Sequence, residues 1–330
     1  MSSNNGDVLK VQQLKKYFPV EKSFLEKMLT RNRHFVKAVD DISFTVRKGE
    51  IFTLAGESGC GKTTTGKLVL RLITPTAGRI FLDGADITNL KSEALRTLRR
   101  KMQMIFQDPY ASFNPRMRVE TAVGHPLEVH GLAQGAEKRR RVIEILERVG
   151  LSPADKFMDL FPHQMSGGQR QRAAMARSIV TQPEFIVADE PVSMIDVSLR
   201  TAIIDLMLDL RKDLGLTYLF ITHDLAIAKY ISDRIAIMYL GKIVELGDKE
   251  AIFSQPVHPY TKALLAAIPV PIPERKRKAT ELVGEVPSAI NIPSGCRFHT
   301  RCRYCESACK EEEPELVEVA PGHFAACDNA

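Results

Sequence analysis

Residues 56–63 read GESGCGKT, and the residues on either side leave little freedom in how a chain can fold around them. The preceding run 51–54 is apolar and suits a buried strand, while the following run 63–73 spaces its apolar residues as a helix does. Strand, glycine-rich loop and helix in that order make a cradle for phosphate. The glycines let backbone N–H groups turn inward, and the helix adds the positive end of its dipole. Gly56, Gly59 and Gly61 shape the loop, and the nucleotide-binding stretch also takes in Glu57, Ser58, Cys60 and Thr64. Lys62 is expected at the β- and γ-phosphates of ATP, and the Thr63 hydroxyl at Mg²⁺.

The rest of the chain supplies the fold such a loop requires. Strand-like runs at 36–46, 185–188, 217–221 and 234–239 are separated by helical patterns at 198–213 and 224–231, with a turn at Lys48, Gly49 and Glu50. Alternation of this kind implies an α/β fold with a mainly parallel core sheet. Residues 119–181 read as a helical insertion, and 30–34 as a loop. Prolines at 256, 259, 269, 271 and 273 and a basic run at 275–278 mark a change of character, so the expected boundary divides 1–255 from a smaller extension, 256–330. The basic run reads as a solvated linker.

Composition excludes several classes. The 330 residues are 44% hydrophobic and 26% charged, as in an ordinary globular protein. The net charge of +6 is spread along the sequence, which argues against a nucleic-acid partner. No run reaches the 18 or more apolar residues of a membrane span, and the polar start MSSNNGD does not read as a signal peptide. A cytoplasmic chain, peripheral to any membrane it serves, is the expectation.

Other residues carry chemistry. The apolar run 185–188 ends in Asp189, where a second Mg²⁺ contact belongs, and Glu190 beside it is placed to polarise an attacking water. Ser166, Gly167 and Gly168 open a helix and so offer a second anion site. Plain helix capping is the bland explanation for that triplet, and the continuation Gln169–Arg170–Gln171–Arg172 weighs against it.

With these motifs in place, the chain resembles the ATP-binding subunits of ATP-binding cassette (ABC) transporters over essentially its whole length. MSGGQRQR (165–172) is similar to the family signature, with Met165 where leucine is commoner. The resemblance implies an ABC-type fold with an antiparallel β subdomain and an inserted helical signature subdomain. It implies that Ser166, Gly167, Gly168 and Gln169 meet ATP held by an opposing subunit. Gln107 resembles the Q-loop glutamine, a contact of Mg²⁺ or water. Ser193–Met194–Ile195–Asp196 matches the D-loop with a variant middle pair, Asp196 being retained, and His223 resembles the switch histidine that senses the γ-phosphate. Phe18 is the expected aromatic under adenine, with Tyr17 as the alternative.

FQDPYASFNPRM (106–117), ADEPVSMIDVS (188–198), SDRIAIMYLGKIVE (232–245) and HPYTKALLAAIP (258–269) resemble the dipeptide/oligopeptide permease group, and within it the second of two ATPase subunits. That implies a heterodimer with a homologous ATPase, two transmembrane permease subunits and an extracytoplasmic solute-binding protein. Peptides are the default cargo; oligosaccharides, nickel and glutathione are alternatives for the same machinery. A soluble ABC protein working on nucleic acid or ribosomes is a more distant reading. Such proteins tend to carry paired cassettes, coiled-coil insertions or long basic extensions, and none is visible here.

Five of the six cysteines fall between 296 and 327. Cys296, Cys302, Cys309 and Cys327 form a candidate ligand set for a [4Fe–4S] cluster, similar to the cluster motif of the peptide-permease ATPases. Zn²⁺ is the competing occupant, since Cys302 and Cys305 make a CxxC pair with His299 and His323 near in sequence. Cys305 is otherwise read as a non-ligand.

Overall fold

The computed structural model describes residues 6–20, 34–268 and 284–327. The loop expected at 30–34 (His34 apart) and the basic run 275–278 lie outside them. The strands in chain order are β1 (Asp7–Pro19), β2 (Phe35–Arg47), β3 (Ile51–Ala55), β4 (Ala77–Leu82), β5 (Ala85–Asp86), β6 (Met102–Ile105), β7 (Phe185–Asp189), β8 (Thr217–Thr222), β9 (Arg234–Tyr239), β10 (Lys242–Asp248), β11 (Val317–Ala320) and β12 (His323–Ala325). The residues gather into two compact units.

The first unit holds Val46–Ile51 and Asn89–Ile221. Its strands β6, β7 and β8 run parallel, with Met102 opposite Phe185 and Phe185 opposite Thr217. Every residue of β7 and β8 is buried, as strands covered on both faces require. Between β6 and β7 come the helices Val119–Val129, Gly135–Arg148, Asp155–Met158 and Gly167–Ile179, so the insertion expected at 119–181 is mostly helical. Helix Gly135–Arg148 buries Val142 and Leu146 and turns its basic residues outward, with Glu137 bound to both Arg140 and Arg141. The expected turn is present: Arg47 N–H donates to the Glu50 carboxylate, and Gly49 is held by Thr217 Oγ1 and Arg211 Nε. Helix Val197–Leu214 stops where Gly215 adopts a left-handed φ of 65°.

The second unit holds Leu9–Thr45, Phe52–Thr88 and the described residues from Thr222 on. Here β3 runs parallel to β9, and β9–β10, β10–β12 and β12–β11 are antiparallel. A four-stranded sheet in the order β2-β1-β4-β5 is antiparallel at β1–β4 and β4–β5, the expected antiparallel subdomain. The helix after the phosphate loop, Lys62–Val69, is shorter than the run 63–73 suggested. Arg71 takes a left-handed φ of 52°, and its guanidinium turns inward to the carbonyls of Ile87 and Ile73.

The tail is joined to this unit. β12 extends the sheet at β10, pairing Glu245 with Ala325. Beneath it the fully buried Glu245 carboxylate accepts the N–H groups of Val257 and His258, and lies 2.8 Å from His323 Nε2. Burying a carboxylate is costly unless its lone pairs are met, and three neighbours meet them here. Ile237, Tyr239, Tyr260 and Phe298 form the adjoining core, against which Cys296 and Cys302 pack.

Candidate nucleotide site

The phosphate loop leaves β3 at Gly56, whose φ of 151° and surroundings exclude a side chain: a Cβ there would lie 2.3 Å from the Met238 carbonyl oxygen. Gly61 is equally committed, with φ 108° and a would-be Cβ 2.1 Å from the Ala38 oxygen. Ser58 and Gly59 form the exposed crest. Gly61 is the N-cap of helix Lys62–Val69 and brings no capping side chain, which leaves first-turn amides for an anion. Lys62 is buried, and its ammonium donates to the Gly56 and Glu57 carbonyls at 2.7 and 2.9 Å. Burial pushes the Cys60 thiol up despite Lys62, whose Nζ lies 3.7 Å from the sulfur.

Two residues that motif reading missed, Tyr260 and Arg301, grip the loop. Glu57 N–H donates to Tyr260 Oη at 2.9 Å, and its carboxylate takes a two-pronged contact from Arg301 at 2.8 and 3.2 Å. Tyr260 lay within the quoted stretch HPYTKALLAAIP and could have been singled out; nothing in the sequence marks Arg301. Arg297 binds the Asp40 carboxylate and the Leu240 carbonyl, and Tyr17 Oη donates to the same Asp40. Tyr17 is thereby committed, its hydroxyl pushed up by burial and Asp40. Phe18 is 37% exposed, with Lys16 over its ring.

In the other unit Asp189 closes β7, 3% exposed, and Glu190 follows half-buried with φ 45°. A left-handed non-glycine residue is strained, and such strain collects at functional positions. Gln107 Nε2 donates to Glu190 Oε2 at 2.9 Å, and the Glu190 carbonyl accepts Ser193 N–H and Oγ–H. Ser166 caps helix Gly167–Ile179: its Oγ accepts Gln169 N–H, and Gln169 Oε1 accepts Ser166 N–H in return. The bland capping reading is therefore true of Ser166, alongside any part in anion binding. Buried Arg170 braces this turn, donating to the Pro162 and Met165 carbonyls while stacking on Tyr110. Asp196 is exposed at the N-cap of helix Val197–Leu214. Back in the unit of the phosphate loop, His223 is exposed just after β8, where Thr222 and Asp224 form the cap of helix Leu225–Ile231.

Cys296, Cys302, Cys309 and Cys327 line one small cavity with Phe298 and His299, and Cys305 stands outside it. Burial pushes the Cys296 thiol up to about 11, and the neighbouring Cys309, Cys302 and Cys327 add to the rise. Among the described residues, no three His, Cys, Asp or Glu side chains are grouped closely enough to hold a metal.

Comparison with known proteins agrees with these features. The ABC transporter family matches residues 39–193, and the family described as the oligopeptide/dipeptide transporter C-terminal region matches 244–309. The oligopeptide transport ATP-binding protein AppF of Bacillus subtilis is 46% identical over 99% of this chain and 98% of its own. A probable peptide ABC transporter ATP-binding protein of Sinorhizobium fredii, y4tS, is 45% identical over 97% of this chain and 89% of its own. Among solved structures, the dimeric cassette MJ0796 in a post-hydrolysis state with ADP and Pi superposes with a TM-score of 0.64, at 27% identity, over 73% of this chain and 98% of that one. The chain therefore belongs to the ATP-binding subunits of the ABC transporter family.

Proposed function

We propose that this chain is an ATP-hydrolysing subunit of a peptide-importing ABC transporter, converting ATP and water to ADP and phosphate. The observation that carries the reading is the phosphate loop, with Gly56 and Gly61 where no side chain fits and Lys62 buried at its centre. Relatives named for oligopeptide transport, alike over nearly the whole length, support the cargo class. The tail matching the oligopeptide/dipeptide transporter region supports it independently.

In this reading the loop amides and Lys62 hold the triphosphate, and Phe18 stacks on adenine. Thr63, Gln107 and Asp189 are the candidate holders of Mg²⁺; their hydroxyl, amide and carboxylate oxygens are the hard donors it prefers. The metal would neutralise charge on the phosphates. Glu190 takes a proton from the attacking water, and Gln107 orients that carboxylate through the 2.9 Å bond. His223 senses the γ-phosphate, Asp196 belongs to the D-loop, and Ser166 through Gln169 serve the ATP of an opposing subunit.

The partners in this proposal are a second homologous ATPase, two transmembrane permease subunits and an extracytoplasmic binding protein. The cassette would sit as a peripheral subunit on the cytoplasmic side; among the described residues no helix is long and apolar enough to cross a membrane. The division into a cassette, 1–255, and a cysteine-bearing extension, 256–330, belongs to the same reading. For the tail, Cys296, Cys302, Cys309 and Cys327 line one cavity and are the candidate holders of a soft, thiolate-bound group such as a [4Fe–4S] cluster, but as placed no three of them stand close enough together to hold a metal.

The test is uptake of a labelled dipeptide by cells whose own copy of the gene is deleted. The wild-type chain should restore uptake and Lys62→Ala should not. Equal uptake with both would contradict the proposal.

A further inference from the structure

The geometry points to Tyr260 and Arg301 as positioning residues of the phosphate loop, supplied to the ATP site by the C-terminal segment. Glu57 is the hinge of the argument. Its amide donates to Tyr260 Oη at 2.9 Å, its carboxylate is forked by Arg301 at 2.8 and 3.2 Å, and its carbonyl accepts from Lys62 Nζ at 2.9 Å. One residue thus links the tail to the ammonium that meets the phosphates. A forked guanidinium–carboxylate pair fixes direction as well as distance, unlike a single point charge. The Arg301 side chain is only 5% exposed, so solvent screens this pair far less than a surface bridge.

Both gripping side chains are themselves held. His258 Nδ1 accepts Tyr260 N–H, and the Tyr260 ring packs on Tyr239 and Phe298. Tyr239 Oη lies 3.5 Å from Arg301 Nη1, and its ring faces the guanidinium. Arg301 stands in the short turn His299–Arg301, directly before Cys302. In the same segment Arg297 binds Asp40, which also receives Tyr17 Oη beside Phe18. The segment that carries the cysteines therefore grips the nucleotide unit at its phosphate loop and next to its exposed aromatic. A tether serving folding alone would need neither the contact to the Glu57 amide nor the fork on its carboxylate.

This inference rests on the chain binding ATP, and the test separates the two. Binding of a fluorescent ATP analogue with Mg²⁺ is titrated on the full chain, with melting temperature recorded for each variant. Tyr260→Phe removes one hydroxyl and keeps the ring, so it should raise Kd about threefold without moving the melting temperature. Arg301→Lys keeps the charge and loses the fork, and the same rise of about threefold is expected. Arg301→Met leaves Glu57 unpaired and should raise Kd about tenfold, with KM for ATP rising more than kcat falls. Adding Glu57→Gln to Arg301→Met should recover affinity to within about threefold of wild type, because no unpaired charge remains. Wild-type affinity in both Tyr260→Phe and Arg301→Lys would overturn the inference while leaving ATP binding intact. A wild-type chain that binds no analogue would instead overturn the functional reading beneath it.

Discussion

Acidification should loosen this fold through one imidazole. His258 is 1% exposed, and burial, with Lys262 nearby, depresses its pKa from 6.5 to about 4. Its Nδ1 accepts Tyr260 N–H at 3.1 Å, which a ring protonated at that nitrogen cannot do. The unfolded chain takes up this proton near the ordinary value of about 6.5. Between the two values the unfolded state binds a proton that the folded state refuses, so stability is complete above the higher one and falls as the pH drops toward the lower. At about pH 5 the linkage ratio is about thirtyfold, or about 2 kcal/mol. His130, depressed mainly by burial and also by Arg96 and Arg100, acts in the same window, whereas Asp40 and Asp86, with lowered values, titrate beneath it. His258→Asn isolates the effect, because asparagine caps a helix well and does not titrate in this range. Urea unfolding at about pH 7.5 and about pH 5 should show a stability loss smaller by about 2 kcal/mol in the variant than in wild type. Equal losses in the two proteins would refute the reasoning.

Gly61→Ala should abolish nucleotide binding, since its Cβ would meet the Ala38 oxygen at 2.1 Å on a backbone with φ 108°. A cost of about 3 kcal/mol should accompany it, read from the unfolding midpoint. Glu245→Ala strands the N–H groups of Val257 and His258 and the His323 ring, and should cost about 3 to 5 kcal/mol in the same assay. Glu245→Gln, which keeps the shape and an oxygen acceptor, should cost less than half of that.

Local chemistry made much of this structure legible. The strand at Arg234–Tyr239 was marked by its apolar run, and the helix Val197–Leu214 by its periodicity over 198–213. Gly56 and Gly61 were legible because a side chain at either would collide with a neighbouring backbone oxygen. What escaped were pairs remote in sequence. Glu57 and Arg301 are 244 residues apart, and a lone arginine in a cysteine-rich tail carries no periodic signal. The pairing of β12 with β10 was hidden for the same reason: a strand of three residues is too short to show alternation. The helix after the phosphate loop was overdrawn because apolar spacing continues past Val69, while the inward turn of Arg71 ends it.

The central claim, that this chain hydrolyses ATP at a site where Glu190 activates water, is tested most directly by Glu190→Gln. The variant keeps the size of the side chain and removes the proton acceptor beside Gln107. Single-turnover measurement with Mg²⁺ and radiolabelled ATP should show affinity near that of wild type and hydrolysis slower by about 10² to 10⁴. Hydrolysis at the wild-type rate with ATP still bound would contradict the account.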